Sequence, residues 1–271
     1  MPTNTSPASK TATAIPSPSP EIQEDVRSET IHYPSPVSYW EAVVTTEHGL
    51  DLAGEKDIGL KLEVVNLSTG DRWVLAENAQ PAALGLPVPT PLHWSPDGLS
   101  LIFADKIQAD GCGLFPYIQN LRIADLTSGA VTAMFPALSG QGVALSEDGQ
   151  WMAAAIGSHE GMTIQIFSRL DETLQTIALP ETSNSQAGAF VFSPDGSLLA
   201  FTLALDPCME SWTHRLIAVD LSTFDTSMLY ESADFHFQSI YWTEEGIILL
   251  DPVSVNGPVI FDPVSGEVIS Q

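Results

Sequence analysis

Positive charge is scarce in this chain: 9 Lys and Arg stand against 34 Asp and Glu across 271 residues, a net charge of −25. A nucleic-acid binder needs a basic stripe to neutralise phosphates, and a protein that docks on anionic lipid needs a basic patch. Both classes are excluded. Long apolar runs are also missing, since no stretch reaches the roughly 18 apolar residues of a membrane-spanning helix. Cysteine is limited to Cys112 and Cys208, too few for a disulfide framework or a zinc site. No helical 3.6-residue periodicity of useful length is present. By contrast, 19 Gly and 20 Pro suit a turn-rich β protein.

The first segment, MPTNTSPASKTATAIPSPSP, has nothing apolar to bury and is expected to stay extended. Residues 1–30 are therefore assigned to a disordered leader or linker and 31–271 to one folded domain. Tracts of this kind often tether an exported domain. The expectation is an extracytoplasmic protein whose Met1 stands where a signal or lipoprotein leader was removed, with a lipid tether upstream. The alternative is a cytoplasmic protein with an unstructured tail.

The strongest signal is an internal repeat. Three near-copies are His93-Trp94-Ser95-Pro96-Asp97-Gly98, Ala144-Leu145-Ser146-Glu147-Asp148-Gly149 and Val191-Phe192-Ser193-Pro194-Asp195-Gly196, each followed by an apolar run. A looser copy is Tyr241-Trp242-Thr243-Glu244-Glu245-Gly246, and a decayed one begins at Tyr33-Pro34-Ser35-Pro36. In such a unit Pro presets φ, Asp suits the next turn position and Gly takes the left-handed position that closes a hairpin. A second hairpin follows each copy, as in Leu121-Arg-Ile-Ala-Asp125-Leu-Thr-Ser-Gly129. Asp or Asn at the strand end can bond the turn backbone. Two hairpins per unit, recurring five times at about 31–77, 89–136, 141–180, 186–232 and 237–271, predict a single all-β propeller of five four-stranded blades. A sixth blade supplied by another chain is the alternative.

The Phe-Ser-Pro-Asp-Gly-x-x-Leu-Ala-Phe pattern, followed by Ile-x-Val-x-Asp-Leu-x-Thr-Gly, resembles the WD40-like propeller repeat of the TolB family. The likeness covers residues 31–271. It lacks the Gly-His and Trp-Asp signatures of true WD40 arrays and the separate α/β domain of TolB.

No Gly-x-Ser-x-Gly elbow, P-loop or dinucleotide fingerprint is present, and the six histidines show no metal-ligand spacing. No catalytic residue, cofactor or metal site is assigned. Asp105 with Asp110 is a weak calcium candidate without the full ligand loop. The turn acids Asp97, Asp148, Asp195 and Glu245 read as turn chemistry, and Trp94, Phe192 and Trp242 as core between blades. Strand order puts short turns on one face and long connections, Thr45–Leu60, Asp105–Asn120, Leu205–His214 and the link Ala76–Pro91, on the other. Long loops on a rigid scaffold commonly bind. Phe115, Tyr117, Met209 and Trp212 lie in them and are the expected recognition residues; capping of the central channel is the alternative reading. Cys112 and Cys208 fall in equivalent long loops of blades 2 and 4, flanking a blade with a short loop, and a disulfide between them is expected.

The favoured function is a non-enzymatic, monomeric binding or scaffold propeller that recognises a protein or cell-envelope component. The alternative is a carbohydrate-active enzyme with carboxylates in the central channel.

Overall fold

The computed structural model describes residues 27–37, 39–51, 54–78, 87–109, 112–134, 140–158, 161–179, 185–207, 209–210, 212–233, 239–243, 246–250, 259–262 and 267–270. Every element is a strand, and all pairing is antiparallel. Among the described residues no helix is long and apolar enough to cross a membrane.

The described strands follow one another in units of four, and the second and third units are joined into one eight-stranded sheet by pairing at Tyr117↔Gln141 and Ile118↔Gly140. Unit 1 is β1 (Arg27–Pro34), β2 (Trp40–Asp51), β3 (Gly54–Asn66) and β4 (Arg72–Asn78). Unit 2 is β5 (Val88–Trp94), β6 (Ser100–Ile107), β7 (Tyr117–Asp125) and β8 (Ala130–Ala133). Unit 3 is β9 (Gly140–Leu145), β10 (Trp151–Ser158), β11 (Gly161–Ser168) and β12 (Thr173–Ala178). Unit 4 is β13 (Ser185–Phe192), β14 (Leu198–Leu205), β15 (Thr213–Asp220) and β16 (Thr226–Ser232). Unit 5 is β17 (Ser239–Thr243), β18 (Gly246–Leu250), β19 (Val259–Phe261) and β20 (Val268–Ser270).

The repeated turn works as its residues demand. Gly98, Gly149 and Gly196 donate their N–H to the Ser95, Ser146 and Ser193 carbonyls at 2.8–2.9 Å, with φ of +67°, +67° and +69°. Each Ser hydroxyl donates to the Asp Oδ1 at 2.6 Å and accepts the N–H of the residue five positions on at 2.9 Å. The decayed copy keeps the closure: Ser35 N donates to the Trp40 carbonyl at 3.0 Å, as Ser95 N does to Ser100 at 2.9 Å. The second hairpins also share a device. Asn66, Asp125 and Asp220 each accept two backbone N–H groups of their turn through one side-chain oxygen. The left-handed position is Gly70 and Gly129 in units 1 and 2 but Phe224, at φ +61°, in unit 4. Phe224 compensates by packing on the core edge-on to Trp151.

Period-two alternation stacks the units. Leu101 and Phe103 of β6 face unit 1, with Ala42, Val44, Leu62 and Val64, whereas Ile102 and Ala104 face unit 3, with Met152 and Ala154. Likewise Leu199 and Phe201 face unit 3, and Ala200 faces Ile247 and Phe261 of unit 5. A strand buried on both faces cannot stand alone, so units 2 and 4 each need a neighbour on both sides. Core clusters join units 1–2, 2–3, 3–4 and 4–5. Trp94, Phe192 and Trp242 all pack against these inter-unit cores.

Two expectations are corrected. Arg27–Thr30, assigned to the leader, form the first half of β1 and pair with Thr45–His48 of β2. Residues 45–60, expected as a long loop, continue β2 and β3 as paired strands as far as Asp51↔Gly54. That stretch carries five charged residues and three glycines, a composition that reads as a loop and hides the pairing.

Candidate functional site

The first strands of the units pack side by side: β9 lies against β13, β13 against β17 and β5 against β9. Each first strand ends in its Ser-containing turn, so the turns of units 1–4 converge on one face. There they enclose a cavity of about 640 Å³. Tyr33, Trp94 and the prolines Pro36, Pro96 and Pro194 supply its apolar wall, and Glu147, Asp148 and Asp195 supply carboxylates. All three acids are exposed. Trp94 Nε1 donates to the Tyr33 carbonyl at 3.3 Å, which ties the walls of units 1 and 2 together.

The turn hydrogen bonds use Oδ1 of Asp148 and of Asp195. Among the described residues Oδ2 of neither has a hydrogen-bond partner. The Ser193 hydroxyl, followed by the Ser197 N–H and hydroxyl, holds the Asp195 carboxyl down at about 2. Asp97 is lowered in the same way, first by the Ser95 hydroxyl. His93 lies on the same wall. Burial, then the Arg169 guanidinium, lowers its pKa, against the opposing pull of Asp148 and Glu147. The imidazole is therefore neutral at pH 7. Its Nε2 is buried without a hydrogen bond and lies 3.0 Å from where a Cβ on Gly149 would stand.

The opposite face differs from expectation. Phe115, expected as a recognition aromatic, is 3% exposed. Its ring lies on Gly188 of β13, where an added Cβ would sit 2.3 Å from the ring. Leu114 N donates to Gln186 Oε1 at 2.8 Å, and Gln186 Nε2 donates to the Cys112 carbonyl at 2.9 Å. The β6–β7 connection thus crosses unit 3, whose own β10–β11 turn is tight at Ser158↔Gly161, to reach unit 4. Gly142 and Gly188 bring β9 and β13 to backbone contact beneath it. The aromatic in this loop covers the end of the inner strands rather than offering itself to a partner. Trp212 is half-buried and packs edge-on against the buried His214 with centroids 4.5 Å apart. Tyr117 and Met209 are exposed at 40% and 61%, and no described contact joins them.

Asp105 is no calcium ligand here. It is buried, accepts from Arg122 at 2.8 Å and from Asn120 Nδ2 at 2.8 Å, and Asp110 lies outside the described residues. Among the described residues no cluster of three His, Cys, Asp or Glu could hold a metal. Cys112 is disulfide-bonded; Cys208 lies outside the described residues and is the chain's only other cysteine.

No protein-family model matches the chain, and none of the curated proteins does. Solved structures do. The β-propeller domain of the Trilobed protease from Pyrococcus furiosus, described as having an open velcro topology, is 17% identical with a TM-score of 0.51, over 89% of this chain and 70% of that one. The fold is a β-propeller. A prolyl endopeptidase is 14% identical with a TM-score of 0.52, over 92% of this chain and 36% of its own. A TolB-type structure from Agrobacterium tumefaciens matches more loosely, at 13% identity and a TM-score of 0.38 over 76% of this chain and 90% of that one. The expected all-β propeller class is the one that the Pyrococcus furiosus domain shares.

The cavity residues named above are members of the repeat, and their turn role masked the second one. Glu147 stands where the other two full copies carry Pro, and that departure was the one available signal.

Proposed function

We propose that this chain is a non-enzymatic binding propeller of five blades, and that its ligand site is the funnel on the Ser-Pro-Asp-Gly face. The observation that carries the reading is the cavity of about 640 Å³ built by four successive units. Ligand pockets typically span a few hundred to about a thousand cubic ångströms. The favoured ligand is a cationic segment of a protein or envelope component. Aromatic faces attract cations, Asp148 and Asp195 line the same cavity as Tyr33 and Trp94, and a net charge of −25 attracts positive partners. An extracytoplasmic location fits the disulfide at Cys112, because disulfides persist in oxidising compartments.

The test is fluorescence titration with a labelled Arg-Ser-Pro repeat peptide and its Gln-Ser-Pro control. The cationic peptide binds more tightly, loses affinity with added salt, and binds Glu147→Gln a few-fold more weakly, since exposed charge pairs contribute roughly 0.2–1 kcal/mol. Equal binding of both peptides, insensitive to salt, would overturn the cationic assignment.

The enzymatic alternative draws on the same three acids. Glycoside hydrolysis pairs a carboxyl kept protonated with one kept ionised. Asp195, held at about 2, is ionised at any working pH and suits cation binding rather than proton donation. A hydrolysis screen on arabinan, fructan and xylan decides: turnover abolished by Glu147→Gln would replace the binding reading.

A further inference from the structure

We infer that residues 112–116 form a releasable plug over the long-loop end of the inner strands, locked by the disulfide at Cys112. The segment leaves β6, passes unit 3 and lands on β13 of unit 4, so it holds together two units that are not sequence neighbours. Apart from the disulfide and the β7–β9 pairing that follows it, the described attachments are local. Gln186 supplies two hydrogen bonds, to Leu114 N and from its own Nε2 to the Cys112 carbonyl. Gly142 N donates to the Pro116 carbonyl at 3.2 Å. The ring of Phe115 fills the hollow above Gly188. Hydrogen bonds of this kind each contribute modestly once exchange with water is counted. The disulfide is different, because it keeps the segment at its landing site whenever those bonds break.

Cys112 is exposed, and exposed disulfides are the reducible ones. The chain offers only Cys208 as its partner. A dithiol reductant breaks the S–S bond: two electrons and two protons pass to Cys112 and Cys208, which become thiols, and the reductant closes to its own disulfide. Without the tether the segment lifts, Phe115 leaves Gly188, and the far end of the inner strands opens. The repeated turns lie at the opposite ends of these strands and use none of these contacts, so the funnel stays built. The inference is independent of what the funnel binds.

Hydrogen exchange of the full chain, read by mass spectrometry with and without dithiothreitol, tests it. On reduction, exchange accelerates at least about tenfold in 112–116 and 185–189, as expected of a local opening. The turns at Gly98, Gly149 and Gly196 keep their protection. Unchanged exchange at 112–116 would overturn the inference, and so would acceleration throughout the chain, which would make the disulfide a global staple. Oxidised Gln186→Ala supplies the second arm. Its exchange at 112–116 rises less than that of the reduced wild type; an equal rise would show that Gln186, not the disulfide, is the lock.

Discussion

Replacing Gly188 with alanine sets a new Cβ 2.3 Å from Cγ, 2.6 Å from Cδ1 and 2.8 Å from Cβ of Phe115. All three are shorter than real Cβ contacts, and the atoms they meet belong to a ring that is 3% exposed. The ring cannot swing into solvent without uncovering the Gly142–Gly188 contact. Overpacking of this kind costs about 1–3 kcal/mol. For a folded region of this size each kcal/mol lowers Tm by roughly 2–4 °C, so Gly188→Ala should melt about 2–12 °C below wild type. Phe115→Ala loses the ring's own packing, typically about 3–5 kcal/mol for a buried aromatic. In the double variant the new methyl meets no ring. Its loss should therefore fall short of the sum of the single losses by about 0.5–3 kcal/mol, the usual range for residues in contact. Thermal denaturation of the four proteins, oxidised throughout, measures this coupling. A wild-type Tm for Gly188→Ala, or strict additivity, would refute the contact between the loop and unit 4.

Arg122→Ala should cost about 3 kcal/mol or more, because it strands the buried Asp105 carboxylate, whereas Asp105→Asn should cost less; urea unfolding compares the two. Asp195 carries the pH prediction. Its folded pKa of about 2 lies below the ordinary 3.8, so the turn favours the ionised form; that stabilisation is complete above about pH 4 and disappears as pH falls through 2. The urea midpoint of wild type should thus lose more than that of Asp195→Asn between pH 4 and pH 2, and parallel curves would contradict the turn bonding. Denatured, non-reduced protein should show no reactive thiol per chain at monomer mass. Two reactive thiols would exclude an intramolecular bridge.

How much of this was legible depended on whether the cause was local. The Ser-Pro-Asp-Gly turns carry their own chemistry, so hairpin positions, strand alternation and the inter-unit role of Trp94 and Phe192 followed from the sequence alone. Even the decayed copy at Ser35 keeps the closure of the others. Phe224 shows the limit of pattern: it occupies a glycine position because packing on Trp151 compensates for a left-handed backbone. Phe115 departs from expectation for a tertiary reason. Chain order shows which face a loop leaves from, but not that Gly142 and Gly188 bring two inner strands into backbone contact and leave a seat for Phe115. An aromatic in a polar loop reads the same whether it faces a partner or folds inward.

The turn acids also show why structural and functional readings of a residue need not compete. The repeat requires a carboxylate at each turn because one oxygen must accept both the Ser hydroxyl and a backbone N–H two residues on. That requirement is met by Oδ1 and leaves Oδ2 unspent. Because each turn closes the first hairpin of its unit, stacking the units places Asp148 and Asp195 around one cavity. The same hydrogen bonds that hold the turn hold Asp195 at about 2, so folding itself fixes the charge that the mouth presents. Glu147 adds a third carboxylate at the position where Ser-Pro-Asp-Gly has proline, and the unit 3 turn keeps its Ser146–Asp148 bond at 2.6 Å without that proline. The proline is therefore dispensable to the turn, and the acid that replaces it is free to serve the cavity.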